Sequence, residues 1–574
     1  MSTETVHTGV AGEVVDEAGQ PWRASADAVE DVASLERTFA APTLNVAEVL
    51  CDDHPEDAVA FTLVDSEAGA RPMTYAELAT ASRRLAADLS ARGIGRGDRV
   101  AVLMGKRREL PIVLLAIWRL GAVHVPLFTA FAPPAIEMRV RDSGAKLIVT
   151  EPGQHGKVGD LGVETLLTGE AFDQLLESGE GVVSSVAVGG DGLIVQLYTS
   201  GTTGTPKAVG VPGRAIGAFV AYMRYGLDVE DDDTFWNAAD PGWAYGLYYG
   251  IIGPLAIGKS NVLLSAGFSP ELTATVIEKT GVTNFAAAPT VYRALKAGGV
   301  HLRSARLRRA SSAGEPLTPD VTSWAPDALG VTVRDHYGQT EHGMVIVNAW
   351  HPQLRRDVRP GSMGQVLPGF AAGTKGTEIV LSTTASPLLW FRGYLNAEEK
   401  TRERYTTDLQ WYRTGDVGRH EGEDFFFASR DDDVILAAGY RIGPFDVESI
   451  IVQHPDVIEA AVVGRPDELR GEVVEAFIVP ARGAERDDEL RDAIKQLVRD
   501  QLGAYAYPRR VHFVDELPKT PSGKVQRFIL RSPEFGVDVQ GAPSTGTLRV
   551  SRSGDATADG AGSVASSGVQ DATP

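Results

Sequence analysis

Asp98 to Thr150 reads DRVAVLMGKRRELPIVLLAIWRLGAVHVPLFTAFAPPAIEMRVRDSGAKLIVT, and its periodicity sets the fold class. DRVAVLM is a short apolar run of the kind a strand buried on both faces requires. ELPIVLLAIWRLGA is long enough for a helix, VHVPLF repeats the strand pattern, AIEMRVRDSG the helix, and KLIVT is a third strand. Strand–helix alternation at this spacing implies a parallel sheet covered by helices. The alternation returns in NVLLSA, ELTATVIEKTG and VTNFAAAP, between Asn261 and Pro289.

Outward from that core the pattern changes twice. After the acidic turn Asp431–Asp433 come a helix start (FDVESIIVQHP), two strands (EAAVVGRP and VVEAFIVPA) and a charged helix (DDELRDAIKQLVRDQLG). This reads as a small α+β unit on a polar hinge. The expected layout is an α/β protein with four parts. A flexible extension covers 1–40, and a large multi-subdomain N-terminal domain with parallel-rich sheets covers 41–431. A small mobile C-terminal domain spans 432–535, and a Gly/Ser/Ala-rich disordered tail follows at 536–574.

A chain of 574 residues is too long for one compact core. Its net charge of −21 argues against a sequence-independent nucleic-acid binder and against docking on anionic lipid. One cysteine, Cys51, excludes an internal disulfide and any Cys-based metal cluster, and fits a reducing, cytoplasmic setting. PGWAYGLYYGIIGPLAIG, from Pro241 to Gly258, approaches membrane-spanning length, but its prolines and glycines favour a buried, pocket-lining segment. Lysines are scarce, 12 against 43 arginines, so each one merits inspection.

Tyr198 to Pro212 reads YTSGTTGTPKAVGVP, directly after the apolar strand GLIVQL. Thr199, Ser200, Gly201, Thr202, Thr203 and Gly204 let backbone amides and hydroxyls converge on an anion. After Thr205 and Pro206, Lys207 adds a point charge. Those two intervening residues depart from the P-loop pattern, in which Lys follows the last Gly directly. A generic Gly/Thr loop would be a surface feature as often as a phosphate site; the whole string is far more specific.

This segment resembles the signature loop of the adenylate-forming superfamily, which includes acyl-CoA synthetases, luciferases and peptide-synthetase adenylation domains. The resemblance spans Leu44 to Leu530, and the details ASRDDDVI, GYRIGPFDVES and VRPGSMGQ look nearest to the medium-chain acyl-CoA synthetase branch, with acetyl-CoA synthetase a near cousin. It implies that the loop holds the ATP phosphates. SAGEPL resembles the segment in which Gly314, Glu315 and Pro316 pack on adenine. DHYGQTEHG, with Asp335, His336, Tyr337, Gly338 and Gln339, resembles the motif whose aromatic residue stacks on adenine. Within it, Thr340 would contact the α-phosphate or substrate carboxylate, and Glu341 would hold Mg²⁺, a carboxylate suiting a hard cation. WYRTGDVGR would offer Asp416 to the ribose hydroxyls. By resemblance Arg430 touches the nucleotide and Asp432 is the hinge. LPKTPSGKVQR would supply the catalytic lysine, Lys524, for the growing negative charge of adenylation.

The same resemblance assigns coenzyme A to Ala438, Gly439, Tyr440, Arg441, Arg470, Tyr507, Pro508 and Arg509. It assigns the acyl pocket to Trp243, Tyr245, Gly246 and Gly338. Acetate-specific relatives carry a bulky Trp at the position of Gly338, so glycine there implies room for acids longer than acetate or for small aromatic acids. Two lesser implications are a structural cation at Val452, His454 and Val457, and acetylation of Lys524 by a lysine acetyltransferase. The implied reaction is carboxylic acid plus ATP to acyl-adenylate and pyrophosphate, then acyl transfer to CoA. The expected acid is short- or medium-chain or small aromatic; the alternatives are an acetate/propionate-CoA ligase, a same-fold ligase loading a carrier-protein phosphopantetheine, and a catalytically silent nucleotide-binding regulatory protein, and a homo-oligomer is compatible with the sequence.

Overall fold

The computed structural model describes residues 26–178, 183–199, 206–302, 306–430, 433–437, 440–467, 471–520, 524–532 and 535. Within them the strands form three sheets. The Asp98–Thr150 region builds the first. Arg99–Leu103 lies between Val123–Leu127 and Leu147–Thr150, all parallel, with helices Glu109–Arg119 and Pro133–Ser143 as crossovers. Helix Glu109–Arg119 is buried almost all round, as its unbroken apolar run requires. At the other edge Leu193–Thr199 and Lys207–Pro212 pair antiparallel, with Thr199 opposite Lys207.

The second sheet, of 13 strands, has a parallel centre and an antiparallel wing. Strands Asn284–Ala287, Arg309–Ala313 and Val333–Gln339 run parallel, and their C-terminal ends lead into SAGEPL and into the residues after Gln339. Gly343–Val347 then turns back antiparallel to Val333–Gln339. The wing continues to Trp411–Glu421 and Asp424–Arg430, which carry Asp416 and Arg430 opposite one another. A third sheet of five strands follows; its long hairpin Val457–Asp467/Gly471–Pro480 is flanked by helices Pro444–Ile451 and Asp488–Gln501.

One expectation is corrected at the N-terminus. Residues 26–39, read as part of a loose extension, form a helix whose Ala28, Val32, Leu35 and Phe39 are buried in the main core. Spacings of four, three and four put them on one face. Phe39 Cδ2 and Leu35 O lie 3.4 and 3.5 Å from where a Cβ on Gly217 would stand, so this helix approaches helix Ala215–Ala221 closely. Residues 1–25, the tail 536–574 and Asp432 lie outside the described residues. The apolar stretch Pro241–Gly258 is a run of short buried helical segments, and among the described residues no helix is long and apolar enough to cross a membrane.

Candidate active site

The two strands flanking the Gly/Thr loop bring its ends together: Thr199 Oγ1 bonds Lys207 O at 3.5 Å. Residues 200–205 lie outside the described residues; Pro206 and Lys207 do not. The Lys207 ammonium sits 5.0 Å above the Tyr394 ring. Tyr394 donates to Glu341 Oε1 at 2.8 Å and accepts from Arg404 Nε at 3.2 Å. Partial burial lowers the Lys207 pKa, Arg404 adds to that, and Glu341 opposes it. A lysine from the loop, a carboxylate from QTE and an arginine thus share one small volume. Tyr394 and Arg404 were not foreseen; the segment FRGYLNAEEKTRER that holds them has no pattern pointing to a site.

Strand Val333–Gln339 divides its side chains between two environments, as alternation demands. Asp335 and Tyr337 point one way. Asp335 Oδ2 accepts the amide of Leu317 at 3.2 Å, which ties SAGEPL to DHYGQTEHG. Burial pushes the Asp335 carboxyl up to about 8. Tyr337 donates its hydroxyl to Asp416 Oδ2 at 2.6 Å, and Gln339 Nε2 reaches the same oxygen at 2.7 Å. Burial first, and then the Asp416 charge, raise the Tyr337 pKa well above the usual phenol range, so the hydroxyl remains a donor. Asp416 Oδ1 lies 3.7 Å from Arg430 Nε. The carboxylate is thus aimed by two donors on one oxygen, with the other turned to the cation.

His336 points the other way, which corrects its expected place beside a nucleotide. Its Nδ1 takes Tyr222 Oη at 2.7 Å and its Nε2 pairs with Asn348 O at 3.2 Å. Tyr222 also meets Tyr245 Oη at 3.0 Å. Burial pushes the imidazole down to about 3, so it is neutral. With Nε2–H donating to the carbonyl, Nδ1 must accept from Tyr222, and Tyr222 from Tyr245. Around this chain Phe219, Tyr248, Tyr249 and Trp390 pack as an aromatic block. Tyr248 donates to Thr340 O at 3.0 Å. Trp243 lies at the rim, its ring edge 3.3 Å from where a Cβ on Gly314 would be.

Gly338 is the second correction. A Cβ built there would stand 2.1 Å from Gly343 O and 2.7 Å from Met344 Cα, both backbone atoms of the paired strand. The missing side chain admits that strand; it does not open pocket volume. Gly246 is similar, its would-be Cβ 2.2 Å from Asp240 O.

From the third sheet, Lys524 enters on a hairpin closed by Thr520 N–H to Lys524 O at 2.7 Å and Lys524 N–H to Thr520 Oγ1 at 3.0 Å. Burial pushes its ammonium down to about 8, with Arg430 adding to the effect; Asp416, Glu315 and Glu341 act in the opposite sense. Glu315, Glu341 and Asp416 are each remote in sequence from one another and from Lys524, yet all three lie near enough for their charges to act on its ammonium.

The residues expected at coenzyme A divide. Ala438, Gly439 and Arg470 lie outside the described residues, and Arg441 is placed as backbone in strand Tyr440–Ile442. Tyr440, Tyr507 and Arg509 border a cavity of about 240 Å³ on the third sheet, together with Tyr505. Tyr505 stacks on Tyr440 at 4.9 Å, and both are exposed. The Arg509 guanidinium lies 4.3 Å over the Tyr507 ring, and Pro508 between them is buried. Tyr505 was missed, although AYAYPRR carries its aromatic two residues before Tyr507. In the turn proposed for a cation, His454 O already accepts the Val457 amide at 3.0 Å. Among the described residues no three His, Cys, Asp or Glu side chains are gathered to hold a metal.

Comparison with known proteins decides the family. The sequence model described as "AMP-binding enzyme" matches residues 48–375, and that of the "AMP-binding enzyme C-terminal domain" matches 446–524. The chain belongs to the AMP-binding enzymes. It is 34% identical over 532 residues to an acetyl-coenzyme A synthetase of Bacillus subtilis, covering 86% of this chain and 91% of that protein. The crystal structure of a Brucella canis acyl-CoA synthetase superposes with a TM-score of 0.68 at 42% identity, over 88% of this chain and 98% of the other. A benzoate CoA ligase from Burkholderia xenovorans gives a TM-score of 0.76 at 26% identity, over 85% of this chain and 100% of that one.

This AMP-binding enzyme is an AMP-forming acid–thiol ligase that uses ATP, Mg²⁺ and coenzyme A. Its residues fit the cation: Glu341 is a buried carboxylate beside Lys207 and Arg404, a hard oxygen donor next to the ends of the Gly/Thr loop.

Proposed function

We propose that this acyl-CoA synthetase activates a short-chain or small aromatic carboxylic acid, with Lys524 serving the adenylation half and the Tyr440 face the thioester half. What supports the reading is that Lys524 is buried where the charges of Arg430, Asp416, Glu315 and Glu341, from four separate motifs, all act on its ammonium. In the first half-reaction the acid's carboxylate attacks the ATP α-phosphorus in line and pyrophosphate leaves. Asp416 accepts the ribose hydroxyls, Tyr337 stacks on adenine, and the Gly/Thr loop with Lys207 holds the β- and γ-phosphates. Lys524 bridges the reacting carboxylate and α-phosphate, neutralising charge as it develops. Glu341 would hold Mg²⁺, which supplies charge neutralisation on the phosphate oxygens. In the second half the CoA thiol attacks the mixed anhydride and AMP leaves.

Between the two halves a hinge at Asp432 lets residues 432–535 rotate, exchanging the Lys524 face for the Tyr440 face. The acid is bounded by Trp243 and by the Tyr245–Tyr222–His336 chain, so the preference for small acids rests on aromatic walls, with Gly338 contributing no space. Acetylation of Lys524 would remove the charge that adenylation needs. The test is a panel from acetate to octanoate, with benzoate and its amino and hydroxy derivatives, read as AMP formed with free CoA. Turnover peaking among propionate to hexanoate or the benzoates supports the reading. A maximum at octanoate contradicts the small pocket. AMP formation with an acyl-carrier protein and none with free CoA contradicts the acceptor.

A further inference from the structure

A chain of four charges ties the Lys524 hairpin to the nucleotide segment. Arg293, on helix Pro289–Ala297, places Nη2 3.3 Å from each carboxylate oxygen of Glu315. Its Nε lies 3.9 Å from Oε1 of Glu459, in strand Val457–Asp467 of the third sheet. Glu459 also receives Lys519 Nζ at 2.6 and 2.7 Å. Lys519 pairs with Val525 at the neck of the hairpin that presents Lys524. The four side chains are 15, 17, 19 and 28% exposed in the order Arg293, Glu315, Glu459, Lys519, so salt screens them less than an open surface pair.

Two of these links are internal to one part of the molecule. Arg293–Glu315 stays within the large body, and Lys519–Glu459 stays within the third sheet and its hairpin. Arg293–Glu459 crosses between them. At 3.9 Å it is an ion pair without a close hydrogen bond, able to bias an arrangement and still release.

We propose that Arg293 is a positioning residue for adenylation: by bridging Glu315 and Glu459 it holds the Lys524 hairpin over the nucleotide, and it has no part in thioester formation. This rests on the reading that Lys524 serves the first half-reaction. When the third sheet turns for the CoA step, the crossing pair must break while Lys519–Glu459 travels with the sheet.

The experiment compares Arg293→Gln, Glu459→Gln and the double variant in two assays, acyl-dependent pyrophosphate exchange and CoA transfer from supplied acyl-adenylate. Each single variant should lower exchange by about tenfold, with CoA transfer within about twofold of the parent. The double variant should lose clearly less than the two single losses combined, because the crossing Arg293–Glu459 pair is common to both. Arg293→Lys, which keeps the charge, should recover part of the loss. Additive losses, or equal loss in both assays, would overturn the proposal. Should Arg293→Gln fail to fold, Glu459→Gln alone carries the test, since it leaves the Arg293–Glu315 pair in place. Lys524→Ala run alongside separates the levels. Undiminished exchange in that variant refutes the underlying reading of Lys524. Abolished exchange there, with normal exchange in the Arg293 and Glu459 variants, refutes the positioning role alone.

Discussion

Replacing Gly338 with alanine tests whether that glycine serves the backbone or the substrate. The added methyl would stand 2.1 Å from Gly343 O, 2.7 Å from Gly343 C and 2.7 Å from Met344 Cα. Relaxed carbon contacts lie at about 3.5–4.0 Å, so the strands must part by roughly an ångström, and no flexible side chain can give way instead. Parting them strains the Gly338–Met344 and Gln339–Gly343 pairs and pulls the Met344 amide from Tyr249 Oη, a 2.8 Å bond. Overpacking costs about 1–3 kcal/mol and a lost hydrogen bond about 1, giving roughly 2–4 kcal/mol. Gln339, Thr340 and Glu341 follow directly on this strand, so adenylation should fall with stability. The assay pairs urea midpoints with kcat/KM across acetate, propionate, butyrate and benzoate. A lower midpoint, with activity reduced on every acid and an unchanged order of preference, is expected. An unfolding free energy within about 0.5 kcal/mol of the parent, with preference moved toward acetate, would show that the glycine serves the pocket and not the backbone.

Three further outcomes follow from the charges in the site. Burial holds Lys524 down to about 8 in the free enzyme, and a bound triphosphate should raise it again, so ATP binding just above pH 8 takes up a proton. Calorimetry in buffers of different ionisation enthalpy should detect that uptake in the parent, and its persistence in Lys524→Ala would contradict the assignment. Asp335, pushed up to about 8, keeps its proton when folded and releases it when unfolded, so its contribution to stability falls as pH rises from about 4 to 8. Asp335→Asn lacks this titration, and its melting temperature relative to the parent should climb between pH 5 and 8; a pH-independent difference would be the contrary result. Tyr394→Phe removes the donor to Glu341 and the acceptor for Arg404 while keeping the ring beneath Lys207. It should shift the Mg²⁺ dependence of adenylation to higher concentration and lower the rate by about tenfold; an unchanged Mg²⁺ titration would show that Tyr394 does not hold Glu341.

The parallel core was legible because Asp98–Thr150 alternates short β-branched runs with a long apolar helix, and few folds satisfy that order. The nucleotide site was legible through strings such as YTSGTTGTPK and PKTPSGK, in which small residues and a lysine leave little freedom of interpretation. Tyr394, Arg404 and Arg293 were not legible, since each reaches the site through tertiary contact from a segment with no local signal. The helix Ala26–Phe39 escaped notice because its buried face includes Ala28 and most of its other positions are acidic or small, with an apolar Val29 on the exposed side. His336 and Gly338 show a subtler limit. Sequence order places both in the nucleotide motif, but the strand's alternation sends the histidine to the tyrosine cluster, and the strand's partner claims the space beside the glycine.

If Lys524 serves a separate first half-reaction, an acyl-adenylate must precede the thioester. Rapid quenching of enzyme, ATP, Mg²⁺ and a preferred acid without CoA should yield about one equivalent of acyl-adenylate and pyrophosphate per site, which added CoA converts to acyl-CoA and AMP. Formation of ADP and phosphate, or no adenylate until CoA is present, would contradict the account.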